Sequence, residues 1–528
     1  MIKRRVFVAA SLIAPLYSSA AWAQRSRSET KILRRIVASE LTSLDPQRPT
    51  GQVTSEMAAE LFAGLTVTNT AGKVVPGCAS KWTTSADGLT WTFTLRKNLS
   101  WSDGRVITAR DFVFTLQRYL APDTGAPQAV RMDSIVNGRD VRFGRKPPEA
   151  LGVSAPRADT LIIKLAHPDV ELPLNLVSAY CIPQHVVEKH GREWSKPDII
   201  VSNGPYKMAA WAPGGKDIKL RRNPNYFDVD QVAIEEVEWM TGYDDGTRLR
   251  LFKLGEVDVA SIEDMGNLAS AKRELSARLR SSPECALGAI GINLERKPLD
   301  DVRVRRALSL ALDRKIIANR VRGLGEQPWE AVLPPGIDGY PKLKQPEHAN
   351  WSMPQRVQAA RELLQAALGT RTRLKLGIGF PSSAVGRKLY LGVGAMWKAV
   401  GVDLELLQID GRAYSAAIQR GDYDLYSYAS FAIVPSASVF LDRFVSDSSV
   451  NVARYKNPAY DKIFNSAERQ LTVAERFAAY GQAESLLLRD VPLIPLWAGV
   501  SNRLVSARVQ GWIDHPSHSH PSQYLRLA

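Results

Sequence analysis

Three histidines stand close together near the end of the chain, in the sequence HPSHSH. The imidazole groups of His515, His518 and His520 could bind Ni²⁺, Cu²⁺ or Zn²⁺. Pro516 and Pro521 flank them, which is typical of a polar loop in which each imidazole stays hydrated. We therefore predict no metal ligands in this chain and keep a metal-binding role of the cluster as an alternative.

The motifs of the common catalytic sites are absent from the sequence. It contains no GxSxG, HExxH or GxxxxGK[ST] motif, and no GxGxxG follows a strand-like run. Acidic residues are numerous, but no two of them stand out as a general acid and a general base. We therefore predict no catalytic residue, no cofactor and no enzymatic activity.

One long uncharged segment could form a binding site instead. GDYDLYSYASFAIVP runs from Gly421 to Pro435, and the ten positions from Leu425 to Val434 carry no charge. Three of these ten residues are Tyr or Phe. The segment could be a buried core strand, or it could be the wall of a cleft that binds uncharged groups. The segment alone leaves both possibilities open, because the answer depends on the fold that surrounds it.

The elements that would position these residues alternate between strands and helices. LTWTFTLR (Leu89–Arg96) alternates with the period of a half-buried strand, and TARDFVFTLQRYL, from Thr108, has one apolar helical stripe. A longer helix is predicted over Asp301–Val321. Ser352 and Thr472 are the predicted N-caps of two further helices. A chain of 528 residues with this pattern predicts a mixed α/β fold in two or three lobes.

The N-terminus has the organisation of a secretory signal. Three basic residues at positions 3–5 precede an apolar stretch from Val6 to Tyr17, which is too short for a spanning helix of about 20 residues. AWA at positions 21–23 is a small-residue cleavage site. We therefore predict a signal peptide over residues 1–23 and an exported protein.

Neither the charge nor the cysteines indicate a nucleic-acid-binding protein or a zinc-binding protein. The net charge of +15 comes from Lys and Arg residues scattered through the chain, so no basic run predicts a nucleic-acid partner. The cysteines have no zinc-type CxxC spacing. Cys78, Cys181 and Cys285 permit one disulfide at most, and they could equally be small buried side chains.

A dozen short motifs stand in the order found in one family of bacterial transport proteins. They include SLDPQ, ELFAGL, WTFTLRKNLSWSDGRVITARDFVFTLQR, NGPYKMAAW, RNPNYFD, LGEVDV, DDVRVRRALSLALDR, MWKAVGVDLEL, RGDYDL, YKNPAYDKI and VPLIPLW. Through them the chain resembles the solute-binding proteins of ABC transporters in the oligopeptide- and dipeptide-binding family, family 5. GRKPPEALGV and QPEHANWSMPQR resemble its oligopeptide branch.

The resemblance implies an architecture. The fold would be that of a two-lobed α/β periplasmic binding protein, type II (cluster C), with an extra subdomain in lobe one. The implied ranges are 24–66, 184–290 and 494–528 for lobe one, 67–183 for the subdomain and 291–493 for lobe two. The chain would cross between the lobes near Ile290–Asn293 and near Pro492–Leu496.

The resemblance also implies a function. The protein would be a monomeric periplasmic receptor that captures a peptide or peptide-like solute by hinge closure and delivers it to an inner-membrane ABC permease. A receptor for a sugar, an opine-like conjugate or a chelated metal stays open as an alternative, as does a secreted enzyme on a related scaffold.

The site residues implied by the resemblance differ from those of typical peptide binders. Members of the family place the segment after GDYD in the cleft wall, where Trp-x-Ala-Asp-Tyr carries an Asp that pairs with the α-ammonium of the peptide. This chain has Ser430 in place of the Trp and Ile433 in place of the Asp, and Pro435 comes two residues early. An ammonium group would therefore find no acidic partner on this segment, and an acid from another element stays possible.

Other contacts implied by the family are also replaced. The trio after SLDP reads Thr50, Gly51 and Gln52, where an acidic residue, Gly and an apolar residue would be typical. Ser261 replaces an aromatic residue, Ser427 a basic one and Gly411 a Trp. The ligand-binding residues that we predict are Gly51, Gln52, Tyr428, Ala429, Ser430 and Phe431.

Overall fold

The computed structural model describes residues 32–49, 51–341, 346–369, 373–432, 435–517 and 520–528. The predicted signal peptide, Thr50, Ile433 and His518 lie outside these ranges. Among the residues inside them, no helix has the length and apolar character needed to cross a membrane.

The secondary structure mixes strands and helices along the whole described chain, which confirms the predicted α/β class. The strands are β1 Ile32–Ile36, β2 Thr66–Thr68, β3 Val74–Pro76, β4 Ala79–Thr84, β5 Thr90–Leu95, β6 Val153–Arg157, β7 Thr160–Lys164, β8 Tyr206–Trp211, β9 Asp217–Arg222, β10 Glu236–Met240, β11 Val259–Ser261, β12 Leu279–Ile292, β13 Gln327–Pro328, β14 Leu374–Pro381, β15 Val402–Ile409, β16 Leu425–Phe431, β17 Leu493–Val505, β18 Val509–Gln510 and β19 Arg526–Leu527. The helices are α1 Gln52–Leu61, α2 Ala109–Leu120, α3 Gly138–Arg142, α4 Leu172–Asn175, α5 Gln184–His190, α6 Asp245–Lys253, α7 Met265–Glu274, α8 Val302–Leu310, α9 Arg314–Ile316, α10 Met353–Leu368, α11 Ala384–Lys398, α12 Gly411–Arg420, α13 Ser438–Leu441, α14 Pro458–Ala467 and α15 Val473–Asp490.

One large sheet runs through both lobes. Its strand order is β15-β14-β16-β12-β17-β11-β1-β10-β9-β8, with β13 paired to β17. The strands on the β15 side lie in the range predicted for lobe two and those on the β8 side in the ranges predicted for lobe one, so β12 and β17 lie at the centre, where the predicted lobes join. These two long strands are therefore the connection around which the lobes can bend.

The pairing of β12 with β17 is irregular near the point where the chain is predicted to pass from one lobe to the other. Leu279–Ser282 pair with Ser501–Leu504, and the register shifts between Pro283 and Leu287. Beyond the shift, β12 pairs with β16 of lobe two, while the end of β17 pairs with β11 of lobe one. The shift lies a few residues before the predicted first crossing at Ile290–Asn293. Because Pro283 has no N–H, it cannot donate a hydrogen bond to the ladder there.

The hydrophobic cores are divided in the same way as the two lobes. One core joins the residues of lobe one to those of the predicted subdomain, as Leu33 with Phe93 shows. Two further cores lie in lobe two, one around Leu376 and one around Phe440. The subdomain contains its own four-stranded sheet, in the order β4-β5-β7-β6. The exact lobe boundaries stay a prediction.

Several local predictions are confirmed. In β5, Trp91, Phe93 and Leu95 are buried on one face. α2 begins with a capping box between Thr108 and Asp111, and α10 begins with one between Ser352 and Gln355. Thr472 accepts a hydrogen bond from the Glu475 N–H at the start of α15. The three cysteines are buried and free, and burial raises the pKa of Cys78 and Cys285 to about 12.

The long helix predicted over Asp301–Val321 is wrong in one respect. α8 ends at Leu310, and a new turn begins after Asp313, whose side chain accepts a hydrogen bond from the Ile316 N–H at 3.0 Å. A side chain that competes with the backbone in this way favours a cap over a helix interior. The chain then winds as a π-helix over Ile317–Arg322, which brings Arg322 to the centre of the molecule.

Candidate ligand-binding cavity

A cavity of about 600 Å³ lies between the lobes, beside the central strands. Its walls come from β12, β16 and β17, from the start of α1 in lobe one and from the start of α11 in lobe two. A volume of about 300–1,000 Å³ is usual for small-molecule sites. The cavity therefore has the size and the position expected of a ligand that is enclosed when the lobes meet.

The segment after GDYD forms one wall of this cavity as strand β16. Tyr428 and Ser430 are buried, whereas Ala429 is exposed and Phe431 is 53% exposed. This alternation follows from the period of two in a strand, which turns successive side chains to opposite faces. Residues of both faces nevertheless line the cavity, because all six positions from Ser427 to Ala432 belong to its wall.

Five of the six predicted site residues lie on the cavity wall. They are Gln52, Tyr428, Ala429, Ser430 and Phe431. The sixth, Gly51, is the N-cap residue of α1 and does not line the cavity. Gly51 has no side chain that could reach the cavity, whereas its neighbour Gln52 lines it. That any of these residues contacts a ligand stays a prediction.

Gln52 belongs to a polar cluster on the lobe-one side. Its amide nitrogen donates to Glu56 Oε1 at 2.8 Å. Arg503 of β17 donates to the same oxygen at 3.0 Å, and the Glu56 and Arg503 side chains are 6% and 4% exposed. A buried pair held in this way fixes the orientation of Gln52 at the cavity wall.

Trp497 and Arg322 form a stacked arrangement that the sequence did not reveal. The Trp497 ring covers Gly288 of β12, where a Cβ atom would lie 2.1 Å from the ring. The Arg322 guanidinium lies 4.7 Å from the centre of the same ring and pairs with Glu326 at 2.9 Å. The absence of a side chain at Gly288 therefore allows both Trp497 and Arg322 to reach the cavity.

An apolar patch lines the lobe-two side. The rings of Phe380 and Tyr390 have centres 4.9 Å apart, and Leu389 lies beside them on α11. Burial raises the pKa of Tyr390 to about 12, so its phenol stays neutral. Val385 in the same wall is 44% exposed and is open to a ligand. This patch can bind an apolar side chain.

The charged residues of the described cavity wall are mostly acidic. Four carboxylates, those of Glu56, Glu263, Glu284 and Glu326, accompany the two guanidinium groups of Arg322 and Arg503. The protein as a whole carries a formal charge of +15. The charge of the cavity wall therefore differs in sign from the net charge of the chain.

The expectation that each imidazole of the C-terminal histidine cluster stays hydrated is wrong, because His515 is buried and the His520 ring is stacked on Trp512. The rings of Trp512 and His520 stack at 3.9 Å, and the His515 ring lies 4.6 Å from that of His520. Burial lowers the pKa of His520 to about 2 and keeps its ring neutral. His518 lies outside the described residues, and among the residues that are described no group of three or more His, Cys, Asp or Glu side chains could hold a metal ion.

A buried ion-pair network connects the lobes away from the cavity. Arg476 of α15 donates to Asp169 Oδ1 at 2.9 Å, and its Nε lies 3.2 Å from Glu171 Oε2. Arg476 lies in the range predicted for lobe two, whereas Asp169 and Glu171 lie in the range predicted for the subdomain. The side chains of Arg476 and Asp169 are 1% and 3% exposed. Burial raises the pKa of Glu171 to about 7, against the opposing attraction of Arg476. We name this contact the interlobe ion pair.

Comparison with known proteins identifies the scaffold. Residues 73–451 match the model of the bacterial extracellular solute-binding proteins, family 5. The chain is 34% identical over 525 residues to the periplasmic oligopeptide-binding protein OppA of Salmonella typhimurium, which covers 97% of this chain and 96% of OppA. It is 31% identical over 538 residues to the probable deoxycholate-binding periplasmic protein YgiS of Escherichia coli, which covers 99% of this chain and 98% of YgiS.

A solved structure supports the same fold. The crystal structure of Haemophilus influenzae OppA in complex with the peptide RPPGFSPFR superposes with a TM-score of 0.84 at 30% identity. The superposition covers 94% of this chain and 99% of that protein. The predicted two-lobed fold is thereby confirmed.

Proposed function

This chain belongs to the bacterial extracellular solute-binding proteins, family 5, and we propose that it captures a short peptide between its lobes and delivers it to an inner-membrane ABC permease. The observation that carries the proposal is the cavity of about 600 Å³ beside the two strands shared by the lobes. The peptide in the complex of the H. influenzae relative supports the ligand class. The protein acts in the periplasm as a monomer, and it releases its ligand unchanged.

The composition of the cavity fits a peptide in two ways. The apolar patch around Phe380 and Tyr390 can bind a side chain. Only Leu425 and Tyr426 of β16 pair with β14, so the backbone of β16 beyond Tyr426 can offer hydrogen-bonding groups next to the cavity on that side. Closure of the lobes would remove the side chain and the backbone of the peptide from water. The hydrogen bonds of the peptide backbone become stronger when water is excluded.

Binding of the tripeptide Ala-Phe-Ala tests the proposal. Calorimetry is expected to show one site per chain, and small-angle X-ray scattering is expected to show a smaller radius of gyration in the bound form, because the lobes close on the ligand. Mass spectrometry after incubation is expected to recover the intact peptide. Deoxycholate serves as the comparison ligand. Compaction by deoxycholate without binding of a panel of tripeptides, or cleavage of the peptide, would contradict the proposal.

A further inference from the structure

We infer that Pro516 and Ser517 form an end wall of the cavity that limits the length of the bound peptide, an inference that rests on the proposed peptide-binding function. Both residues line the cavity. They belong to the histidine-rich segment near the C-terminus, in which the described residues form no group that could hold a metal ion. We name residues 515–517 the C-terminal wall.

The hydrogen bonds of Cys285 place the C-terminal wall at the end of strand β16. In an antiparallel ladder, the two residues of a hydrogen-bonded pair exchange two N–H to carbonyl bonds. Cys285 of β12 accepts one such bond from the N–H of Ala432, the residue directly after β16, at 2.9 Å. Its own N–H donates to the Pro516 carbonyl instead, at 3.1 Å. Pro516 therefore takes the next position of the ladder where the pairing of β12 with β16 ends.

This position bears on any peptide that lies along β16. The backbone of β16 beyond Tyr426 is not paired with β14, and residues 427–432 line the cavity. A peptide that hydrogen-bonds to this side of the strand would run parallel to it. At the Ala432 end, Pro516 and Ser517 bound the same cavity. One terminus of the peptide would therefore point toward the C-terminal wall.

Two glycine turns contact the C-terminal wall from different parts of the chain. A Cβ atom on Gly336, in the range predicted for lobe two, would lie 2.6 Å from Pro516 Cβ. A Cβ atom on Gly72, in the range predicted for the subdomain, would lie 3.2 Å from Ser517 Cβ. Both glycines have a positive φ, of 99° and 73°, which other residues rarely adopt. The wall packs so closely on both turns that no peptide chain can pass between them.

The chain that follows the wall is fixed to the core of lobe one. Arg35 of β1 donates to the His520 carbonyl at 2.8 Å, and the Ser522 hydroxyl donates to Glu60 Oε1 at 2.7 Å. Arg35 and Glu60 are both buried. Hydrogen bonds to charged groups are stronger than those between neutral groups. A wall held in this way resists displacement by a longer ligand.

The ligand class follows from these contacts. A peptide with an apolar side chain against Phe380 and Tyr390 has a fixed position along the cavity. Residues added at the terminus that points toward the C-terminal wall would find no space, and the lobes could not close around them. The protein would therefore select short peptides, with a strict limit at one terminus.

Calorimetry with Ala-Phe-Ala and two hexapeptides tests this limit. One hexapeptide carries three additional alanines at the N-terminus, and the other carries them at the C-terminus. The native protein is expected to bind at least one hexapeptide about tenfold or more weakly than Ala-Phe-Ala, because the lobes stay partly open. The double variant Pro516→Gly, Ser517→Gly removes both side chains of the wall and is expected to reduce this penalty to threefold or less. Pro516→Ala removes only part of the ring, and an intermediate penalty is expected.

The matched control is Pro213→Gly. Pro213 lies in the exposed turn between β8 and β9 and does not line the cavity, so the control is expected to keep the native penalty. The readout is the ratio of two affinities within one protein. A variant that is only partly folded loses apparent affinity for all peptides by the same factor, so the ratio does not change.

The outcomes separate this inference from the proposed function. Binding of the tripeptide and both hexapeptides with equal affinity by the native protein would overturn the end wall and leave the peptide receptor intact. An unchanged penalty in the double variant would do the same. Binding of none of the three peptides, nor of any other peptide in a tripeptide panel, would overturn the proposed function itself.

Discussion

Replacement of Arg476 by methionine is expected to weaken peptide binding by at least a hundredfold, although Arg476 does not line the cavity. In the closed form, Arg476→Met removes from Asp169 and Glu171 the guanidinium that both contact, and only the more distant Arg131 remains to act on Glu171. Removal of one partner from a buried ion pair costs about 3–5 kcal/mol. In the open form the acids of the subdomain can hydrate, so most of this cost falls on the closed form. Each 1.4 kcal/mol corresponds to about tenfold in affinity.

Calorimetry and small-angle scattering check this result together, because the variant should also compact less at a given peptide concentration. Arg139→Gln is the matched control. Arg139 forms a second ion pair between the subdomain and lobe two, with Asp447 at 2.7 Å, but its side chain is 51% exposed. Exposed pairs contribute about 0–1 kcal/mol, so a change of threefold or less is expected.

Asp169→Asn tests the same contact from the subdomain side and keeps Arg476 with its other acidic partners. It is expected to weaken binding in the same direction by about tenfold. Native affinity in both Arg476→Met and Asp169→Asn would show that the interlobe ion pair does not stabilise the closed form.

Substitution of Gly288 by valine is expected to abolish most peptide binding and to lower the free energy of unfolding by about 1–3 kcal/mol, as overpacked cores usually do. A Cβ atom at this position would lie 2.1 Å from the Trp497 ring, so the ring must leave β12. Arg322 rests on that ring, and its guanidinium must move as well. Both groups would then enter the cavity that they now line.

Denaturant unfolding and calorimetry measure the two effects of Gly288→Val. Gly394→Ala on α11 is the control, since a Cβ atom there would meet Leu404 at an ordinary distance of 3.5 Å. The control is expected to bind normally and to gain a few tenths of a kcal/mol or more in stability, because alanine favours a helix. Native affinity in Gly288→Val would show that the position of Trp497 is unimportant for the cavity.

The sequence predicts local structure well wherever the pattern of side chains and the cap residues agree. The alternation of Trp91, Phe93 and Leu95 identifies β5, and Thr108 and Ser352 mark the starts of their helices. α8 was predicted too long because its apolar pattern continues through Asp313, where the side chain bonds to the backbone and starts a new turn. The periodicity of apolar residues does not show where a polar side chain competes with the helix for backbone hydrogen bonds.

The candidate site could be predicted only in part, because some residues that meet in the structure are far apart in the sequence. The resemblance indicated β16 and Gln52, because contiguous motifs carry them. Trp497 and Gly288 face each other only through the register of β12 against β17, which no local pattern reveals. Arg476 and Asp169 are 307 residues apart in the sequence and meet only when both lobes are assembled.

The net charge of the protein and the charge of its cavity wall have opposite signs, and this difference affects the rate at which a ligand reaches the cavity. Without the predicted signal peptide and its three basic residues the chain keeps a formal charge of +12, and a cationic peptide would approach it toward a cavity wall on which, among the described residues, four carboxylates accompany two guanidinium groups. At physiological ionic strength the field of a surface charge falls off within about 8 Å, so the repulsion is short-ranged. In dilute buffer the same repulsion extends to about 30 Å and slows the encounter. Added salt should therefore speed the arrival of the ligand, while it weakens the contact that holds the ligand in place.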